Sequence, residues 1–177
     1  MKRVGDMTQA ELGAYVQSHL REKGIDVVLS GGAVVAFYTN GKYVSGDLDF
    51  VNRYGRKRSA ITSAMEELGF IEVGRHFEHP DTEYFVEFPP GPLAIGEAYD
   101  VKIVGQQLET GKLVLITPTE CVKDRLVWYY HAGDNQSLYQ AILVAKEQSI
   151  DLDEIMRWSE GEGKLEEFEE FKEMLRA

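Results

Sequence analysis

Two aspartates separated by one residue, Asp47 and Asp49, are the residues of this 177-residue chain best placed to do chemistry. The segment around them, Ser45-Gly-Asp-Leu-Asp-Phe-Val51, reads as a strand. Residues i and i+2 of a strand point to the same face, roughly 6–7 Å apart at Cα. The two carboxylates therefore stand side by side while Leu48 and Phe50 enter the core. Such a pair is costly unless a cation lies between its members. Mg²⁺ suits it, as a hard ion that takes oxygen from a few carboxylates and from substrate phosphates. Upstream, Gly31-Gly32 ends a short buried strand where a helix begins, and side-chain-free N–H groups at a helix start can cradle a phosphate. The hydroxyl of Ser30 or Ser45 would add a donor. A third acid, Glu87, sits in Tyr84-Phe-Val-Glu-Phe88, a strand that must stop at Pro89-Pro90. Three acids beside a glycine turn are what metal-assisted nucleotidyl transfer from an NTP requires: the metal holds the triphosphate and a carboxylate helps a hydroxyl lose its proton.

The elements that must position these residues follow from local pattern. Thr8 with Glu11 makes a capping box for a helix over 8–23, whose apolar face is Leu12, Tyr15, Val16 and Leu20, stopped by Gly24. Asp26–Ser30 is a strand, Ala33–Thr39 a helix, and Asn40-Gly41 a turn. A helix over 57–68 closes at Gly69, and Phe70–Val73 returns as a strand. Strands are expected over Tyr84–Phe88, Tyr99–Val104 and Lys112–Ile116. From Thr117 the pattern turns helical, over 118–131, 135–148, 151–159 and 163–176. The chain is thus α+β for about two thirds of its length and helical for the rest, with a boundary expected between residues 1–116 and 117–177.

Gly31-Gly32, the fifteen-residue step to Asp47-Leu-Asp49, and the later strand acid Glu87 together resemble the nucleotidyltransferase superfamily. That is the fold of DNA polymerase beta and of the aminoglycoside nucleotidyltransferases. Within it, the chain looks like the bacterial abortive-infection nucleotidyltransferase-type toxins. The resemblance spans about residues 25–145 and implies a small mixed sheet with flanking helices followed by a helical region. It implies metal ligation by Asp47, Asp49 and Glu87, and phosphate contacts from Gly31, Gly32, Ser30 and Ser45. It also implies a nucleotide-contacting cation on the first tail helix, where Lys123 or Arg125 stands. The family's third acid is usually aspartate, which makes Asp100 a rival to Glu87. A toxin-like role would bring an antitoxin protein as partner, and relatives of that kind act on tRNA ends.

Composition narrows the acceptor. The net charge is −11, and residues 150–177 alone hold ten acids against four bases. Such a surface repels phosphate backbones and disfavours a long nucleic acid; the cluster Arg53, Arg56, Lys57 and Arg58 is one candidate for a local basic patch and reads as a solvated loop and helix start. No apolar run is long enough to span a membrane. Two bases without an apolar stretch behind them at the N-terminus do not make a signal peptide. Cys121, alone, allows neither an internal disulfide nor a cysteine-based zinc cluster, and reads as a buried small hydrophobe in a reducing cytoplasm. His76-Phe-Glu-His79-Pro-Asp81 lacks zinc spacing and reads as a surface loop. Trp128, Tyr129 and Tyr130 read as helix packing. Two rival functions remain: a nucleotidyltransferase fold that binds nucleotide or a partner without catalysis, and a glycosyltransferase using Asp47-Leu-Asp49 on a sugar nucleotide, for which the chain is short.

Overall fold

The computed structural model describes residues Met1–Ala177. After a short 3₁₀ turn at Val4–Asp6 come α1 (Gln9–Glu22), β1 (Val27–Ser30), α2 (Gly32–Tyr38), β2 (Asp47–Asn52) and α3 (Arg58–Glu67). These are followed by β3 (Ile71–Val73), β4 (His76–Glu78), β5 (Phe85–Glu87), β6 (Ile103–Leu108) and β7 (Gly111–Ile116). Four helices end the chain: α4 (Pro118–Ala132), α5 (Asn135–Glu147), α6 (Leu152–Gly161) and α7 (Leu165–Arg176). The strands form one mixed sheet in the order β3-β4-β5-β2-β1-β7-β6. β2 runs antiparallel to β1 and parallel to β5, and β1 runs parallel to β7.

The alternation of each strand divides the sheet into two faces. Leu48, Phe50, Phe77, Val86 and Leu113 are all fully buried. The open Cα of Gly13 lets α1 press on Leu113, Leu48 and Phe50, and α3 packs beside it. Thr8 caps α1 with the expected reciprocal bonds to Glu11. On the opposite face α2 lies across the centre of the sheet, fastened by the Tyr38 hydroxyl donating to the Ile116 carbonyl at 2.7 Å. Helices α4 and α5 stack on α2, and one apolar core runs from Leu12 through Val122 to Phe168 and Phe171. Cys121 is fully buried within it, and Tyr130 stacks on Trp158 with 5.6 Å between ring centroids, whereas Trp128 is half exposed.

The structure corrects two readings. His76–Glu78 is not a loop: it is β4, inserted between β3 and β5 by a two-residue hairpin turn at Gly74-Arg75. Its only local strand signal is Phe77, so pairing on both sides builds it. The strand expected at Tyr99–Val104 lies instead at Ile103–Leu108. Gly105-Gln-Gln107 carries little strand propensity, and the register is set by the hairpin with β7 across Glu109-Thr110. Asp100 consequently lies in an exposed loop ahead of that strand.

Candidate nucleotide and metal site

The acids meet because three strands place them in one row. Ser30 of β1 is directly opposite Asp49 of β2, which is directly opposite Glu87 of β5, while Asp47 lies two residues away on the same face. A carboxylate oxygen from each of Asp47, Asp49 and Glu87 lies within 4.8 Å of the others. Burial pushes the Asp49 carboxyl up to about 7, and the neighbouring charges of Asp47 and Glu87 act in the same direction. Hard oxygen donors that converge in this way fit a divalent metal such as Mg²⁺.

Around the acids the backbone is arranged with little tolerance. Ser45, buried in the turn ahead of β2, sets its hydroxyl 3.2 Å from both the carbonyl and the Oδ1 of Asp47. The Ser30 hydroxyl reaches the Asp49 carbonyl at 3.4 Å. Gly31 caps α2 at φ +75° and ψ −155°, a conformation open essentially to glycine alone. A Cβ built there would fall 2.6 Å from Asp49 Oδ2, so the bare Cα is what lets the carboxylate lie over the turn. At Gly32 a Cβ would stand 3.3 Å from Ser45 Oγ and 3.4 Å from the Tyr43 ring and hydroxyl. The turn therefore lies directly against Asp49, Ser45 and Tyr43.

The two tail cations have different placements. The Lys123 ammonium is buried between Glu120 at 3.4 Å and Glu154 at 3.3 Å, where it joins α4 to α6. Among the groups acting on Asp49, the Arg125 charge is the one that opposes the upward shift. The Arg125 guanidinium is braced by Asp124 Oδ2 at 2.6 Å and donates to Gln140 Oε1 at 3.3 Å. Beyond Gln140 lies a cavity of about 400 Å³ lined by Tyr43, Asn135, Gln136, Tyr139, Gln140 and Leu143. Tyr43, Gln140 and Tyr139 carry no motif. They come together only when α5 packs on α2, and no signal in the chain singles them out. In the Arg53–Arg58 cluster, Arg53 pairs with Asp26 and Arg58 with Glu72, while Arg56 and Lys57 face solvent.

No protein-family model matches the sequence, and no curated protein matches it. Solved structures do match. An antigenic nucleotidyltransferase-like protein from Paracoccidioides brasiliensis superposes with a TM-score of 0.59 at 15% identity, over 77% of this chain and 75% of that one. The crystal structure of ANT(2'')-Ia in complex with adenylyl-2''-tobramycin gives a TM-score of 0.51 at 13% identity, over 96% and 98% of the two chains. The solution structure of the antibiotic-resistance factor ANT(2'')-Ia gives 0.52 at 13% identity, over 75% and 80%. At these identities the shared property is the fold, and it is that of the nucleotidyltransferases.

Proposed function

We propose that this chain, built on the nucleotidyltransferase fold, moves a nucleoside monophosphate from an NTP to a hydroxyl of a small molecule. The observation that carries this reading is the convergence of Asp47, Asp49 and Glu87 on one sheet face beside the bare turn Gly31-Gly32. Asp47 and Asp49 are the residues to hold Mg²⁺, with Glu87 completing the set. Bound there, the ion would neutralise the triphosphate and the charge that develops on the leaving pyrophosphate. The N–H groups of the glycine turn and the Arg125 guanidinium would grip the phosphates. The acceptor oxygen attacks the α-phosphorus, the bond from that phosphorus to the β-phosphate oxygen breaks, and pyrophosphate leaves. Glu87, on the outer side of the row, is placed to take the hydroxyl proton. The nucleoside fits the cavity between Tyr43 and α5, where two tyrosine rings offer stacking and Asn135, Gln136 and Gln140 offer amides to a base edge.

Two things support a small acceptor. The net charge of −11 works against a polyphosphate backbone. ANT(2'')-Ia, which matches over nearly the whole of both chains, was crystallised with an adenylyl group joined to tobramycin. The test is calorimetric titration of each of the four NTPs into the protein with and without Mg²⁺, in the wild type and in Asp47→Asn. Metal-dependent binding that disappears in the variant is the expected outcome. Binding that ignores both metal and variant would move the nucleotide away from these acids and defeat the reading.

A further inference from the structure

The face that carries the acids does not end with them. In strand register, Asp49 and Glu87 continue through His76 of β4 to Val73 of β3. The row beside it runs from Asp47 through Phe85 and Glu78 to Ile71. Phe77, Val86 and Leu48, alternating with these, point into the core on the other face. Glu72, between Ile71 and Val73, bonds to Arg58 and Thr62 of α3 and so confirms which way β3 is turned. Helices cover one face of these strands, but on the acid side nothing covers Ile71 at 65% exposure, Val73 at 42% or Phe85 at 42%. The His76 ring packs on Phe85 with 4.7 Å between centroids and holds Glu78 Oε1 at 2.8 Å. The result is an apolar shelf with an aromatic centre, beginning one strand from the catalytic acids. Exposed apolar groups gathered in this way mark a binding surface more often than scattered ones do.

We propose that this shelf seats the acceptor, and that the acceptor is a hydroxylated cation with a flat apolar ring; the proposal rests on the nucleotidyl-transfer reading. Three observations select that chemistry. The shelf spans two strand spacings from Glu87 to Val73, roughly 10 Å, which is the length of one or two rings. Its aromatic and aliphatic floor suits a flat apolar surface laid on Phe85 and His76. Its charged strand positions on β2, β5 and β4 are Asp47, Asp49, Glu87 and Glu78, all acidic, while Arg58 and Arg75 line the adjoining cavity beside Glu87. Because Asp47, Asp49 and Glu87 are engaged with the metal and the reacting hydroxyl, Glu78, whose Oε1 is held by His76, offers its second oxygen to a cationic group. A ring on Phe85 brings its hydroxyl to the inner end of the shelf, where Glu87 takes the proton.

Tyramine, with a ring, a hydroxyl and an ammonium, is a suitable probe, and 4-hydroxyphenylacetate is its anionic counterpart. Titrated into the isotopically labelled full chain and followed by amide resonances, tyramine should perturb Ile71–Glu78 and Phe85–Glu87. The anion should bind at least fivefold more weakly, Phe85→Ser should weaken tyramine at least fivefold, and Glu78→Gln should reduce the difference between the two probes. Equal binding of both probes, shifts elsewhere, or indifference to Phe85→Ser would overturn the proposal. So would sedimentation showing a dimer that Phe85→Ser dissociates, because the shelf would then be covered by a second copy. Calorimetric binding of Mg²⁺ and NTP to Phe85→Ser separates the two readings. Nucleotide binding with no tyramine effect removes the shelf alone, whereas tyramine binding without any nucleotide binding removes the transferase reading.

Discussion

Asp49 lies over the bare Cα of Gly31, and each of the two supports a prediction. The Asp49 carboxyl is held near 7, far above an ordinary aspartate, chiefly by burial and then by Asp47 and Glu87. A folded-state pKa raised above the unfolded value of about 3.9 means that the neutral acid favours the fold. Its contribution is complete below about pH 4 and is lost as pH rises through about 7. In EDTA, thermal scans should therefore show the wild type losing melting temperature relative to Asp49→Asn between pH 5 and 8; parallel curves would refute this. Metal reverses the preference by requiring the carboxylate. Mg²⁺ affinity should rise about tenfold per pH unit below 7 and flatten above it, since each pKa unit is a tenfold competition with the proton. Gly31→Ala strains a conformation reserved for glycine, at about 1–3 kcal/mol, and drives a methyl group against Asp49 Oδ2. Calorimetry should find Mg²⁺ binding weakened at least tenfold in this variant, and unchanged affinity would show that the turn does not place the carboxylate.

At the level of elements, the capping box of Thr8 and Glu11, the acids on β2 and the four closing helices were legible, because each rests on contacts within a few residues. Strands β4 and β6 were not, since Phe77 and Gly105-Gln-Gln107 become strand only through partners elsewhere in the chain. The placements of Lys123 and Arg125 were beyond reach for a similar reason. Both lie on α4 two residues apart, and only the packing of α6 decides which one is drawn to Glu154. Gln17 shows how a tertiary role can hide inside an amphipathic helix. Almost fully buried, it donates to the carbonyls of Val27 at 2.7 Å and Val114 at 2.9 Å, and accepts from the Val114 N–H at 2.7 Å. It thereby fills the gap between β1 and β7, whose ladder pairs only Leu29 with Leu115. Gln17→Ala should orphan three backbone groups and cost about 3 kcal/mol. For a chain of this size that is roughly a 10 °C fall in melting temperature. Gln107→Ala on the exposed edge strand should change little, and equal effects from the two variants would deny the clamp.

On the proposed function, the sheet carries the anionic groups and α4 carries Arg125, so a bound triphosphate would bridge the two. Arg125 reaches this position from α4, steadied by Asp124 and by Gln140 of α5, while β2 and β5 carry the acids. A ligand that binds only the folded state at a hundred times its Kd adds about 2.7 kcal/mol. Mg²⁺ with an NTP should thus raise the melting temperature by roughly 8 °C, and Asp47→Asn should abolish the rise. Arg125→Gln separates the two halves of the site. It leaves the carboxylates intact, so Mg²⁺ alone should bind as tightly as before or more tightly. The triphosphate loses a charge-assisted partner, and NTP affinity should fall at least tenfold. Amide hydrogen exchange should report the same bridge: nucleotide should slow exchange in β2 and β5 and also in α4 and α5. Protection confined to the sheet would mean that the nucleotide never touches the helical region, and that Arg125 serves only to hold α4 against α5.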